Sequence, residues 1–133
     1  MTTTITLIDT IEIDGGFTFD TTTNTLVKIG DRTGYAIAIP GTERVVGTTG
    51  ITREAFAAAF AEIVIEFGDQ LDAGAFVGGW FSEDRGQYIV ELSEIHTVDR
   101  ETAIELGTAR HQEAILDVAT GEFIETGGHG DAA

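Results

Sequence analysis

Carboxylates are the residues in this chain whose number and spacing could do chemical work. Residues 1–66 carry 9 acids against 4 bases and residues 67–133 carry 14 against 3, so the net −16 divides into −5 and −11. A domain this small needs only about 2–8 net charges for solubility, and the surplus calls for a use. Carboxylates held on a rigid surface at phosphate-like intervals can enter the cleft of a nucleic-acid-binding protein, gaining the steering and counterion release that DNA itself gains. Duplex DNA bears one charge per ~1.7 Å of axis, so the excess of the second half matches the charge of roughly 19 Å of duplex.

Not every acid is free for such a role. Asp99 and Glu101 stand where the start of a helix favours anions. Glu83, Asp84, Glu91, Glu94, Glu105 and Asp117 have no such local reason, and Glu101 and Glu105 lie one helical turn apart, about 6 Å along the axis. These seven, Glu83, Asp84, Glu91, Glu94, Glu101, Glu105 and Asp117, form the expected contact face, with Trp80 and Tyr88 as apolar anchors among the charges. The expected partner is a basic nucleic-acid-binding protein, while direct nucleic-acid binding is disfavoured by the sign of the surface. A rival reading takes the acidic surface, with Lys28 its lone lysine, as an adaptation to a saline cytoplasm. The chain is then a non-catalytic accessory domain that self-associates, a homodimer included, or docks on a larger assembly.

Conventional catalytic and metal patterns are missing from the sequence. His96, His111 and His129 are spread over three segments without His-Glu-x-x-His spacing, and there is no cysteine to make a thiolate site or a disulfide. Val46-Gly47-Thr48-Thr49-Gly50 lacks the lysine and spacing of a phosphate-binding loop, and no calcium loop occurs. Ser82 and Ser93 have no nucleophile-elbow context. The reading is therefore of a binding protein and not an enzyme, with no catalytic residue, metal or cofactor. Met1-Thr2-Thr3-Thr4 has no basic leader, and no 18-residue apolar run occurs, so the expected location is cytoplasmic with no membrane contact.

The elements that must position these acids are read from periodicity. Thr4 to Ile13 alternates as a strand, and Asp14-Gly15-Gly16 supplies a hairpin turn. Phe17 and Phe19 fall at strand spacing, followed by a turn over Thr21 to Thr25. Leu26 to Ile29 and Tyr35 to Ile39 continue a meander that ends at Pro40-Gly41. Phe56, Phe60, Ile63, Val64, Phe67 and Leu71 make one apolar stripe, predicting a long helix over 53–71 with Thr52 as N-cap and Ile51 stapled onto Phe56. Ala75 to Phe81 and Gln87 to Ile95 read as strands joined by Ser82-Glu83-Asp84-Arg85-Gly86, a turn with one internal charge pair. Tyr88, Val90 and Leu92 share one face of the return strand, and Gln87, Glu91 and Ser93 make the other face wet. Asp99 caps a short helix over 100–110, and Glu113 to Val118 pairs with Glu122 to Thr126 as a last hairpin. The sum is an α+β fold, a mainly antiparallel sheet with one long amphipathic helix and one short helix packed on it, as a single domain over 1–126 with a flexible tail over 127–133.

Four segments carry a resemblance. Gly78-Gly79-Trp80-Phe81, then 99–107 (DRETAIELG), then 110–117 (RHQEAILD), then Thr126-Gly127-Gly128 resemble the C-terminal part of small uncharacterised proteins from actinobacterial phages and plasmids. The resemblance covers about half of the chain, excludes the N-terminal meander, and brings no activity with it. It implies a mobile genetic element as the setting, where small acidic proteins are similar to anti-restriction and anti-CRISPR inhibitors that mimic nucleic acid.

Overall fold

The computed structural model describes the backbone of residues 2–128 and the side chains of residues 6–128. Its first element corrects the reading of the N-terminus. Thr2–Asp14 is a helix, α1, although its threonines and isoleucines favour a strand. In a strand, Asp9 would share the apolar face with Leu7 and Ile11. A helical turn instead buries Leu7, Ile8 and Ile11 together and turns Asp9 outward, leaving Ile13 80% exposed. Packing of that stripe overrides propensity. Gly15, at φ 90°, then closes the helix with its N–H on the Ile11 carbonyl, so the expected hairpin turn is a helix C-cap.

Eight strands follow, interrupted by three further helices: β1 Gly16–Asp20, β2 Thr25–Leu26, β3 Tyr35–Ala38, β4 Arg44–Gly47, α2 Arg53–Glu66, α3 Gly68–Asp72, β5 Phe76–Ser82, β6 Gln87–His96, α4 Arg100–Ala109, β7 Ala114–Asp117 and β8 Phe123–Glu125. The α+β class with a mainly antiparallel sheet is as expected, and the strand order is β2-β1-β5-β6-β3-β7-β8. Strand β4 was not foreseen. It pairs with the Tyr88–Val90 half of β6, while β3 pairs with the Ser93–His96 half. Thr42 fastens the handover between them, its buried hydroxyl donating to the Ile39 carbonyl and accepting from the Leu92 N–H.

The predicted long helix is divided. Thr52 caps α2 by accepting from the Ala55 N–H, as foreseen, but the helix ends at Phe67 and a single turn, α3, resumes at Gly68, a poor helix former. Phe56, Ile63 and Leu71 are buried, Phe60 and Phe67 pack partly against the core, and Val64 of the stripe faces outward. Phe56 bridges Phe17 of β1 and Phe60 of its own helix, and Phe60 meets Phe19 edge-on.

All four helices lie on the side of the sheet that carries Phe17, Phe19, Val77, Val90 and Leu92 under α1 and α2, and Ile37, Ile115 and Ile124 beside Ala103 of α4. A Cβ on Gly79 would collide with the Phe17 ring and stand 2.9 Å from Ile11 Cδ1, so α1 sits on a place made flat for it. The second face of β6 departs from expectation: Ile89, Glu91 and Ser93 are buried, not wet. The sheet curls about that face, bringing β1 toward β8. A Cβ on Gly16 would meet the Phe123 ring at 3.4 Å.

Among the described residues no helix is long and apolar enough to cross a membrane. The segment 129–133, most of the predicted tail and including His129, lies outside the described residues.

Candidate functional site

Curling of the sheet divides the predicted contact residues between two surfaces and an interior. Glu83 and Asp84 are exposed on the β5–β6 turn, and Glu101 and Glu105 are exposed on α4. No ion pair among the described residues holds any of these four. The ten residues of β6 separate the turn from the start of α4, roughly 30 Å of strand at ~3.3 Å per residue. The single acidic face read from the sequence is thus two patches.

The other acids are occupied. Glu91, only 7% exposed, points into the curl and leaves the contact face altogether. One carboxylate oxygen of Glu94 accepts from Arg110 at 2.8 Å and from His96 at 3.0 Å. Desolvation raises the Glu94 pKa, but those hydrogen bonds outweigh it and hold the carboxyl below its usual 4.5. Asp117 is half-buried and accepts from the Ala119 N–H, closing the β7–β8 turn. Asp99 caps α4 through the Thr102 N–H, which lowers its pKa. Tyr88 lies on the helix side, half-buried against the core, with its ring 4.7 Å from that of Phe81. Trp80 is half-buried on the concave side, beneath the Arg85 guanidinium at 5.9 Å.

The turn at Ser82–Gly86 holds a network that local sequence did not reveal. The charge pair expected inside the turn is replaced by long-range partners. Arg85 grips Glu43 with two hydrogen bonds of 2.8 and 3.1 Å and lies 3.4 Å from Glu113 through Nε. Ser82 donates to both Glu113 oxygens, at 2.8 and 2.9 Å. The three charged side chains are 13%, 8% and 11% exposed, and Ser82 is fully buried. Glu43 lies 42 residues from Arg85 in the chain, a separation at which no spacing rule applies.

Inside the curl lies a cavity of ≈50 Å³ whose walls include Ala36, Ala38, Gly78, Ala114, Trp80 and Ser93. The small residues leave room where Glu91 of β6, opposite Gly78, and Ser93, near Ala38, project. Among the described residues, Ser93 Oγ and Trp80 Nε1 are both buried and find no hydrogen-bond partner. No set of three His, Cys, Asp or Glu among the described residues is arranged to hold a metal ion. His111 instead ends α4 in the left-handed region at φ 57°. A search of protein-family models, of curated proteins and of solved structures found no match to this chain.

Proposed function

We propose that this chain is a non-catalytic acidic binding protein that inhibits a nucleic-acid-binding protein of the host-defence class by filling its basic cleft with carboxylates. The observation that carries the reading is the fate of the cations. Four of the seven Lys and Arg side chains, Arg44, Arg85, Arg100 and Arg110, are tied to carboxylates of the same chain, while among the described residues no ion pair holds the exposed Glu83, Asp84, Glu101 and Glu105. The outward field is therefore strongly negative and available to a partner. Nucleic acid itself is repelled by the same field.

The test is capture from a lysate of the source organism at low salt, elution in rising salt, and comparison with an E83Q/D84N/E101Q/E105Q variant. The expected outcome is recovery of a basic nucleic-acid-binding protein that leaves at moderate salt, is displaced by duplex DNA, and is not retained by the variant. All four positions are exposed, so the variant is expected to keep its fold, checked by its melting curve. Specific capture of no such protein, or equal capture by the variant, overturns the proposal and leaves the charge as an adaptation to a saline solvent.

A further inference from the structure

The curled sheet stops short of closing, and its terminal strand keeps an unused edge. Toward β7, the Thr126 N–H donates to the Glu113 carbonyl and the Asp117 N–H to the Glu122 carbonyl. With Ile115 opposite Ile124, antiparallel alternation turns the main-chain groups of Glu122, Ile124 and Thr126 toward β7 and those of Phe123 and Glu125 outward. No strand among the described residues pairs with that outer edge. A row of outward N–H and C=O groups is a template for an added strand.

Beside the edge lies a second cavity, of ≈310 Å³. Asp14 of α1, Phe17 of β1 and Val27 line one side of it, and Leu116, Val118 and Phe123 line the other. The cavity therefore occupies the gap between β1 and β8, on the flank where a strand added to β8 would run at about 4.8 Å. Two large apolar side chains that line it are left to solvent, Phe123 at 47% and Ile29 at 50% exposed. Phe123 belongs to both the edge and the cavity.

We infer that this seam takes an extended basic segment of the partner, which pairs with the outer edge of β8 and sets an apolar side chain in the cavity. The inference rests on the basic-partner reading above and adds how that partner is held. Residues of an added strand that pair with Phe123 and Glu125 aim their N–H groups at β8 and their side chains to the face of the Phe123 ring. One residue thus supplies both the hydrogen bond and the apolar group. The sign of the segment follows from its surroundings. Asp14 and Glu125 are exposed at the seam, no ion pair among the described residues holds either, and Lys28 is the one base lining the cavity. A second copy of the chain would bring a further −16 to the edge and is disfavoured.

The probe is a capped heptapeptide of alternating arginine and valine, titrated into the full chain in about 0.15 M salt while following amide resonances and hydrogen exchange. The expected result is saturable binding, with shifts centred on β8 and the cavity walls and exchange of the Phe123 and Glu125 N–H groups slowed about tenfold or more. Three control peptides are expected to bind at least about tenfold more weakly: glutamate–valine, arginine–serine, and arginine–valine methylated on the valine nitrogens. Glu125→Pro removes an outward N–H and no bond to β7, so it is expected to lose the peptide and keep its melting curve. Glu125→Gln, which leaves the backbone intact, is expected to weaken the peptide about threefold. Binding without slowed exchange at Phe123 and Glu125, or equal binding of the methylated peptide, overturns the inference and leaves charge attraction alone. Sedimentation as a dimer that Glu125→Pro dissociates overturns it in favour of a second copy. Undiminished capture of the basic protein from lysate by Glu125→Pro overturns the seam and leaves the acidic-cleft reading standing, so the two fail separately.

Discussion

Arg85 shows how much one residue in this protein depends on others far away in the chain. Its guanidinium covers the Trp80 ring, pairs in a fork with Glu43 before β4, and approaches Glu113 before β7, where Ser82 also donates. Four segments are therefore joined at one end of the β5–β6 hairpin. The environment holds the Arg85 pKa above its ordinary value, chiefly through the hydrogen bonds that Arg85 donates to Glu43 against the opposing cost of burial. Removing one member of a buried charge cluster is costlier than the net worth of the pair, since the remaining charges stay desolvated. Arg85→Ala is thus expected to cost about 3–5 kcal/mol in urea unfolding. A loss under about 1 kcal/mol would mean that water replaces the guanidinium freely. An Arg85→Ala/Glu43→Ala/Glu113→Ala triple change is expected to lose less than the sum of the single losses, because it leaves none of these three charges stranded.

Helix α2 shows what a sequence pattern does and does not convey about an element. The stripe through Phe56, Ile63 and Leu71 was legible, as were the Thr52 and Asp99 caps and the β5–β6 hairpin, because each is a local feature with a fixed spacing. Depth of burial was not. Phe60 reads as equivalent to Phe56, yet it lies at the rim of the cluster while Phe56 is 1% exposed between Phe17 and Phe60. Phe56→Ala is accordingly expected to cost about 3–5 kcal/mol and Phe60→Ala distinctly less, measured on the same denaturation series. Equal losses would place both rings at the same depth. Two elements were illegible for a related reason. The alternating apolar residues of 5–13 fit a strand by themselves, and the helix follows from packing Leu7, Ile8 and Ile11 together onto the sheet, which is flat at Gly79. Strand β4 has four residues and is defined by its partner β6 and a register shift near Gly47 more than by its own composition. The candidate site was legible only in part. Exposed acids of a turn and a helix can be picked from sequence, whereas Glu91 joins the interior because the sheet curls, and curling is a property of all eight strands together.

The whole molecule balances two electrostatic terms of opposite sign, and pH and salt separate them. A net charge of −16 on 133 residues repels itself, and the compact state suffers more than the unfolded one. Against this, several carboxyls are better off folded. Glu94 is held below its ordinary 4.5 once the hydrogen bonds from His96 and Arg110 overcome desolvation; Asp20 is lowered below 3.8 mainly by Thr22, Asp99 by Thr102 and Glu122 by Arg100. A carboxyl whose folded pKa is depressed binds fewer protons in the folded state, so its contribution is complete above the ordinary value and is lost as pH falls through the folded one. At neutral pH and low ionic strength the repulsive term is unscreened, and raising salt from about 0.05 to 0.5 M, which shortens the Debye length to several ångströms, is expected to raise the melting temperature. With repulsion muted in 0.5 M salt, the acid limb reports the favourable carboxyls: stability is expected to hold from pH 7 to about 5 and to fall once pH drops below 4.5. Glu94→Gln should narrow that fall, because the variant has already given up the ionised form, so the gap between the two proteins is widest at pH 7 and closes in acid. A melting temperature that drops with salt at neutral pH would show instead that the exposed pairs Arg44–Glu62 and Arg100–Glu122 outweigh the self-repulsion of the surface.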